Sequence, residues 1–120
     1  MKTANIYQDI RWNEHKPVST VLFETGFTKE IRIAMQKGTL MKEHKTSYPI
    51  VVEILEGLID FGVKQETKSL TKGDLITLEG NMPHNLRAKE NSIVRLTLTK
   101  YDKTNRVEAL LRSKTGKNGK

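Results

Sequence analysis

The sequence predicts an all-β domain, a sandwich or a barrel, with one short helix at its C-terminal end. Short segments rich in β-branched and aromatic residues recur at fairly regular spacing, and glycine and asparagine turn signals separate them. Segment 30–36 alternates polar and apolar residues, which is typical of a strand with one face in water. A helical period occurs only near the end, at Val107, Leu110 and Leu111.

The chain divides into four predicted parts, of which one is the folded domain. Residues 1–17 form an extended arm that packs on the domain or on a partner subunit. Residues 18–100 form the barrel, 101–112 the helix and 113–120 a disordered basic tail. The predicted strands cover 18–24, 30–36, 39–46, 50–56, 58–63, 68–70, 75–78, 84–88 and 93–99.

Gly57 separates two of these strands, 50–56 and 58–63. Glycine adopts a positive φ without steric cost, so a single glycine between two apolar strands predicts a tight reversal of the chain. We therefore expect these two strands to form a hairpin, with the other strands laid beside it.

The composition of the 120 residues restricts the class of protein. The length fits one domain with a modest core. The absence of cysteine excludes disulfides, thiolate metal sites and cysteine nucleophiles, and it fits a reducing compartment. No apolar run approaches the roughly 18 residues that a membrane span needs, and the first residues lead into no apolar signal core. We therefore expect a cytoplasmic protein that makes no membrane contact.

The net charge of +7 invites a nucleic-acid interpretation, but its distribution argues against one. Arg112, Lys114, Lys117 and Lys120 supply four of the seven charges, and basic and acidic residues are interspersed through the rest of the chain. No aromatic residues interleave with these four charges to stack on bases. We therefore interpret the tail as a solvated segment and do not expect a nucleic-acid partner.

Two histidines, His44 and His84, lie on separate predicted strands. Inward-facing side chains alternate along the strands of a small barrel, so Thr46 shares the face of His44. His84 begins a strand after the bend at Pro83, so we expect it to face the same cavity from the opposite sheet. His15, in the arm, is interpreted as a hydrogen-bonded residue without a ligand role.

Two glycine- and histidine-bearing segments then resemble the paired motifs of the cupin superfamily. Gly38, His44 and the run 54–57 resemble the first motif, and the runs 73–78 and 81–84 resemble the second. The resemblance implies a double-stranded β-helix, or jelly-roll, barrel. It also implies a protein that is usually a homodimer and that often holds a divalent metal inside the barrel.

The cupin metal set comprises three histidines and a glutamate, and this sequence matches it at two positions. His44 occupies the place of the first histidine and His84 that of the last. Thr46 stands in place of the second histidine, and Ile50 in place of the glutamate. A threonine hydroxyl is a poor ligand and isoleucine is none, so these departures argue against full metal-dependent chemistry.

Glu53 and Tyr48 are further candidates for this site. Glu53 lies on the strand of the missing glutamate, but alternation turns it away from the cavity unless a bulge intervenes. Tyr48 shares the parity of His44 and is a candidate hydrogen-bond donor in the cavity. The predicted cavity residues are His44, Thr46, Tyr48, Ile50 and His84. The predicted metal ligands, for one divalent iron, manganese, nickel or zinc ion, are His44 and His84 with Glu53 as a possible third.

These observations favour a protein that binds a small molecule or anion in the barrel cavity, without an assignable reaction. The alternative is a metal-dependent enzyme of the dioxygenase or isomerase type that uses His44 and His84. Without a metal, the two imidazoles are also suited to act as an acid and a base. A third hypothesis is an interaction module that uses a barrel edge and the basic tail.

Overall fold

The structure is a computed structural model, and it describes residues 1–100. Within this range the chain forms nine strands in two sheets. The strands are β1 (Val18–Glu24), β2 (Thr28–Met35), β3 (Leu40–His44), β4 (Ile50–Glu56), β5 (Leu58–Val63), β6 (Glu66–Thr71), β7 (Leu75–Leu78), β8 (His84–Ala88) and β9 (Ser92–Thr99). The five-stranded sheet has the order β1-β2-β9-β4-β7, and the four-stranded sheet has the order β3-β8-β5-β6.

The predicted all-β class is confirmed, and most strand positions agree within two residues. Two differences matter below: β3 ends at His44 instead of 46, and β6 is longer than the predicted 68–70. The helix predicted for 101–112 and the tail of 113–120 lie outside the described residues. Residues 1–100 contain no helix with the length and apolar character that a membrane span requires.

The core lies between the two sheets and is filled by the inward-facing side chains of each. Strand β4 shows the alternation clearly, because Ile50, Val52 and Ile54 are buried whereas Val51 is exposed. Burying each such aliphatic side chain stabilises the fold by about 1.5–3 kcal/mol. The buried cluster comprises Ile31, Ile33, Met35, Ile50, Val52, Ile54, Ile59, Phe61, Leu70, Leu86, Ala88 and Val94.

The hairpin predicted at Gly57 is wrong. Strand β4 pairs with β7 and β9 in one sheet, whereas β5 pairs with β6 and β8 in the other. Gly57 has φ of +96°, and this conformation carries the chain from one sheet to the other instead of reversing it within a sheet. A Cβ at Gly57 would overlap the side chain and backbone of Ser92, so glycine is required for both reasons.

The N-terminal arm lies against the outer face of the five-stranded sheet, where Arg32 holds it. The Arg32 side chain is buried, and its guanidinium donates hydrogen bonds to the backbone carbonyls of Ile6, Gln8 and Asp9 at 3.1, 2.8 and 3.3 Å. Within the same stretch of the arm, the hydroxyl of Tyr7 lies 3.4 Å from a carboxylate oxygen of Glu56. The arm thus bridges from β2 to β4.

The Gly57 crossing predicts a large loss of stability on Gly57→Ala. We expect the free energy of unfolding to fall by more than about 2 kcal/mol, because a positive φ and a steric overlap add together. Gly73→Ala is a matched control, since Gly73 has φ of +91° with nothing near its Cβ position; it isolates the cost of φ alone, about 1 kcal/mol. Urea denaturation measures both, and equal losses in the two variants would contradict the proposed packing on Ser92.

The hydrogen bonds from Arg32 to the arm predict that the substitution Arg32→Met releases the arm. Trypsin should then cleave after Arg11 about a hundredfold faster, because three hydrogen bonds are lost and each contributes about 1 kcal/mol to docking. Arg87→Met, on an exposed position of β8, should leave the cleavage rate unchanged. An unchanged rate in Arg32→Met would show that the arm is held by other contacts.

Candidate functional site

The two predicted histidines lie side by side on neighbouring strands. His44 on β3 and His84 on β8 face each other across the β3–β8 ladder, and their ring centroids are 4.3 Å apart at an interplanar angle of 60°. His84 is buried, with 3% of its surface exposed, and His44 is half-buried. The expectation that His84 approaches from the opposite sheet is therefore wrong, since both histidines belong to the four-stranded sheet.

The loop after β3 and the loop before β8 explain how the segments that carry His44 and His84 meet. A register shift between Met41 and His44 turns the end of β3, and the backbone N–H of Asn81 donates to the carbonyl of Thr46 in the loop that follows. Gly80 packs directly against the backbone of Ser47, so a side chain there would keep the loops apart. The loops 45–49 and 79–83 therefore close together and bring the two histidines into one row.

Each imidazole is fixed by the same backbone contact. The Nδ1 of His44 lies 2.8 Å from the carbonyl oxygen of Lys42, and the Nδ1 of His84 lies 2.9 Å from that of Met82. A carbonyl oxygen only accepts, so Nδ1 carries the proton in each ring. In the neutral ring, Nε2 therefore presents its lone pair, and no hydrogen-bond partner for either Nε2 is found within residues 1–100.

The surroundings of His84 favour its neutral form. Burial lowers the pKa of His84 most, the hydrogen bond to the Met82 carbonyl raises it, and the nearby His44 lowers it again. Two positive charges at this ring separation are unfavourable. Burial and the neighbouring ring therefore both favour a neutral His84.

An apolar cavity lies close to His84 and is linked to it through Phe61, although neither histidine lines the cavity. The ring of Phe61 on β5 stacks on His84 with centroids 5.6 Å apart and planes within 5°. Phe61 and Val63, the strand partner of His84, line a cavity of about 280 Å³ together with Ile76 and Leu78 of β7. An ion pair of 3.1 Å between Lys68 and Glu66 of β6 lies at this cavity.

This cavity was not predicted from the sequence. Phe61 and Val63 alternate along an apolar strand, a pattern typical of core residues; Phe61 is buried in the core and Val63 is partly buried against it. The sequence does not reveal that β6 and β7 are the edge strands of different sheets. Because they are, a gap remains between them. By strand alternation, Glu66 and Lys68 belong to the inner face of β6. These two charged residues are the one feature of the sequence that indicates a cavity there.

The remaining predicted cavity residues do not lie on the strand of either histidine. Thr46 and Tyr48 lie beyond the end of β3, so the parity argument that placed them beside His44 does not apply. The Thr46 hydroxyl donates to the carbonyl of Tyr48 at 2.9 Å. Ile50, with 2% exposed, is a core residue next to Leu78, its strand partner.

Glu53 faces away from the histidines. It lies on the outer face of the five-stranded sheet, beside Arg95 and Leu75, because the irregularity in β4 comes later, between Ile54 and Glu56. The bulge that would have turned Glu53 inward is therefore absent from its part of the strand. The prediction that Glu53 serves as a third metal ligand is therefore wrong.

The residues present do not fit a protein-bound divalent metal. Residues 1–100 contain no group of three histidine, cysteine, aspartate or glutamate side chains placed to hold one ion. Two imidazoles alone leave a first-row metal short of the three protein ligands that its sites ordinarily use. Thr46, Ile50 and Glu53 do not complete the set, for the reasons given above.

Solved structures of other proteins share this architecture. No protein-family model matches the sequence, and no curated protein matches it. An RmlC-like cupin from Desulfovibrio desulfuricans is 20% identical over 82% of this chain and 96% of its own, with a TM-score of 0.76. A conserved protein of unknown function from Streptococcus pyogenes is 24% identical over 84% of this chain and 89% of its own, with a TM-score of 0.72.

A third similar structure is a conserved protein with a double-stranded β-helix domain from Klebsiella pneumoniae. It is 12% identical over 82% of this chain and 89% of its own, with a TM-score of 0.73. These similarities extend over most of both chains and agree with the strand order described above. The resemblance inferred from the two sequence motifs is confirmed at the level of the fold: the chain has the double-stranded β-helix fold of the cupin superfamily.

Proposed function

We propose that the protein binds a small molecule at the mouth of the barrel, with a polar group on the histidine pair and an apolar part in the adjoining cavity. The observation that carries the proposal is the facing arrangement of His44 and His84, each fixed through Nδ1. Fixed rings cost a ligand little ordering entropy, and each leaves Nε2 for the ligand. The apolar side chains next to His84 supply the rest of the site.

The chemistry of the rings restricts the ligand. While both rings are neutral, each Nε2 accepts a hydrogen bond, so a hydroxyl group on the ligand is suitable. After one ring takes a proton, its Nε2–H donates to an anion such as a carboxylate. A single negative charge then matches the single positive charge that the pair accepts. The ligand class is therefore a small alcohol or monocarboxylate with an apolar body.

The observation that favours the alternative, a metal-dependent enzyme of the dioxygenase or isomerase type, is the ring tautomer. Histidine ligands commonly donate their second nitrogen to a backbone carbonyl, as both rings do here. The absence of a third ligand within residues 1–100 weighs against it. Elemental analysis separates the two: a stoichiometric transition metal that His44→Ala and His84→Ala both lose would replace our proposal with the alternative.

The binding prediction uses two probes of similar size, benzoate and cyclohexanol, measured by calorimetry on metal-free protein. We expect His44→Ala and His84→Gln each to weaken binding about tenfold, because a lost hydrogen bond to a buried partner costs about 1–1.5 kcal/mol. Benzoate affinity should rise as the pH is lowered towards the reduced pKa of His84, because the protonated ring donates from Nε2 to the carboxylate, whereas cyclohexanol affinity should not rise.

His15→Gln is the matched control, since His15 lies in the arm, where its exposed ring contacts the exposed Glu14. It should leave both affinities unchanged, and treatment with EDTA should leave them unchanged as well. Failure of both probes to bind the parent protein would refute the proposal, as would an equal weakening by His15→Gln.

The lowered pKa of His84 predicts a loss of stability in mild acid. Between that lowered value and about 6.5, the ordinary value for the unfolded chain, the unfolded state binds more protons than the folded state. The free energy of unfolding should therefore fall as the pH drops below about 6.5. His84→Gln should flatten this dependence in urea denaturation between pH 8 and pH 5, and His15→Gln should retain it. A slope that His84→Gln leaves intact would contradict the assignment.

A further inference from the structure

The N-terminal arm and the outer face of the five-stranded sheet enclose a second cavity, which neither His44 nor His84 lines. Its volume is about 350 Å³, and small-molecule sites ordinarily measure about 300–1,000 Å³. Its apolar walls come from Ile6 of the arm and from Leu22 and Leu55 of the sheet. Because hydrogen bonds hold the arm against the sheet, an apolar group can be enclosed between the two.

A buried carboxylate opens into this cavity. Glu30 on β2 is only 7% exposed and lines the cavity wall. Its Oε1 accepts from Nε of Arg95 at 3.2 Å and from the Thr97 hydroxyl at 2.6 Å, whereas no donor to its Oε2 is found within residues 1–100. In that range the one fully buried side-chain polar atom without a partner is Nε of Arg32, so Oε2 of Glu30 is not sealed inside the protein. It is available to a donor in the cavity.

Two further charged groups line the same cavity without pairing with each other. Glu53 on β4 and Arg95 on β9 are direct partners across the ladder between these strands. Arg95 uses Nε for its ion pair with Glu30, and within residues 1–100 no hydrogen bond of its two terminal nitrogens is found. Nor does Glu53 form an ion pair with any of these residues. The terminal nitrogens of Arg95 and the carboxylate of Glu53 are therefore available to a ligand.

We propose that this cavity binds an α-amino acid with an aliphatic side chain. The ammonium group of the ligand donates to Oε2 of Glu30 and to the carboxylate of Glu53. The ligand carboxylate accepts from the planar guanidinium of Arg95, whose fork of donors matches both carboxylate oxygens. The aliphatic side chain contacts Ile6 and Leu55 under the arm.

The balance of charge on this face favours a ligand that carries both signs. Glu30 and Glu53 contribute two negative charges, and Arg95 and its ladder partner Arg32 contribute two positive charges. An amine alone leaves the donors of Arg95 unused, and a carboxylate alone meets the two glutamates. An amino acid satisfies both sets and adds no net charge. The site lies on the opposite face of the sheet from the core, so it does not depend on the function proposed for the histidine pair.

Calorimetry on the full chain near neutral pH tests the ligand class with three probes of similar shape. L-leucine carries both charged groups, isocaproate lacks the ammonium group and isoamylamine lacks the carboxylate. We expect leucine to bind and each analogue to bind at least about tenfold more weakly, because each loses one set of charge-assisted hydrogen bonds.

Variants of the charged residues test the location of the site. Glu53→Gln and Arg95→Met should each weaken leucine binding about tenfold. Glu53→Gln keeps the shape of the side chain at a position without an ion pair among residues 1–100, so folding should be unaffected. Glu43→Gln on β3 and Arg87→Met on β8 make the same changes at exposed positions of the four-stranded sheet. These two matched controls should leave the leucine affinity unchanged.

The arm supplies a readout that binding elsewhere does not give. Since Ile6 forms part of the cavity wall, leucine should bind only while the arm is docked. At ten times its dissociation constant, leucine should therefore slow tryptic cleavage after Arg11 about tenfold. Isocaproate at the same concentration should have a much smaller effect.

Four results would each overturn the proposal. They are no heat of binding at about 10 mM leucine, where even millimolar affinity is measurable; an analogue that binds as tightly as leucine; an affinity that Glu53→Gln leaves intact; and a cleavage rate that leucine does not change. Benzoate, the probe of the histidine site, should not displace leucine. Displacement would place leucine inside the barrel and would also refute this site, whereas failure of benzoate to bind would refute only the function proposed for the histidines.

Discussion

The candidate site depends on the position of β8, which is hydrogen-bonded to β3 on one side and to β5 on the other. This single strand places His84 between His44 and Val63 in one row and stacks its ring on Phe61. The arrangement requires β5 to leave the sheet that contains β4, and the positive φ of Gly57 makes that transfer possible. The chemistry of the site is therefore a consequence of one backbone crossing that lies outside it.

The same fold that supports metal centres elsewhere is here adapted towards an apolar pocket. Ile50 stands where the cupin pattern has a glutamate, and it is incorporated into the core instead of facing a bound ion. Thr46 replaces a histidine, and its hydroxyl is used to close the loop after β3. What remains is a pair of oriented imidazoles beside a hydrophobic wall. Under the proposed function, this combination binds a polar group and an apolar body together.

The sequence predicted which face of β4 each residue occupies better than it predicted the geometry around the two histidines. Strand alternation correctly assigned Glu53 to the outer face and Ile50 to the inner one, because β4 is regular over those residues. The alternation argument failed after His44. A register shift lies at the end of β3, and no residue type in the sequence indicates that shift. The hairpin at Gly57 failed for a related reason: a glycine with positive φ permits either a reversal or a crossing, and long-range pairing decides between them.

Strand β4 connects the two faces of the five-stranded sheet and constrains both. Its even-numbered residues from Ile50 to Ile54 seal the core beside the ligand cavity, and its odd-numbered residues Val51 and Glu53 form part of the open outer surface. A slip of one residue in its register would bury a carboxylate and expose three aliphatic side chains at once. Both faces are therefore tied to a single register, which the pairing of β4 with β7 and β9 maintains from two sides. A small sheet of this kind can thus keep an apolar core on one face and a mixed polar and apolar surface on the other, because the strand between them is hydrogen-bonded on both edges.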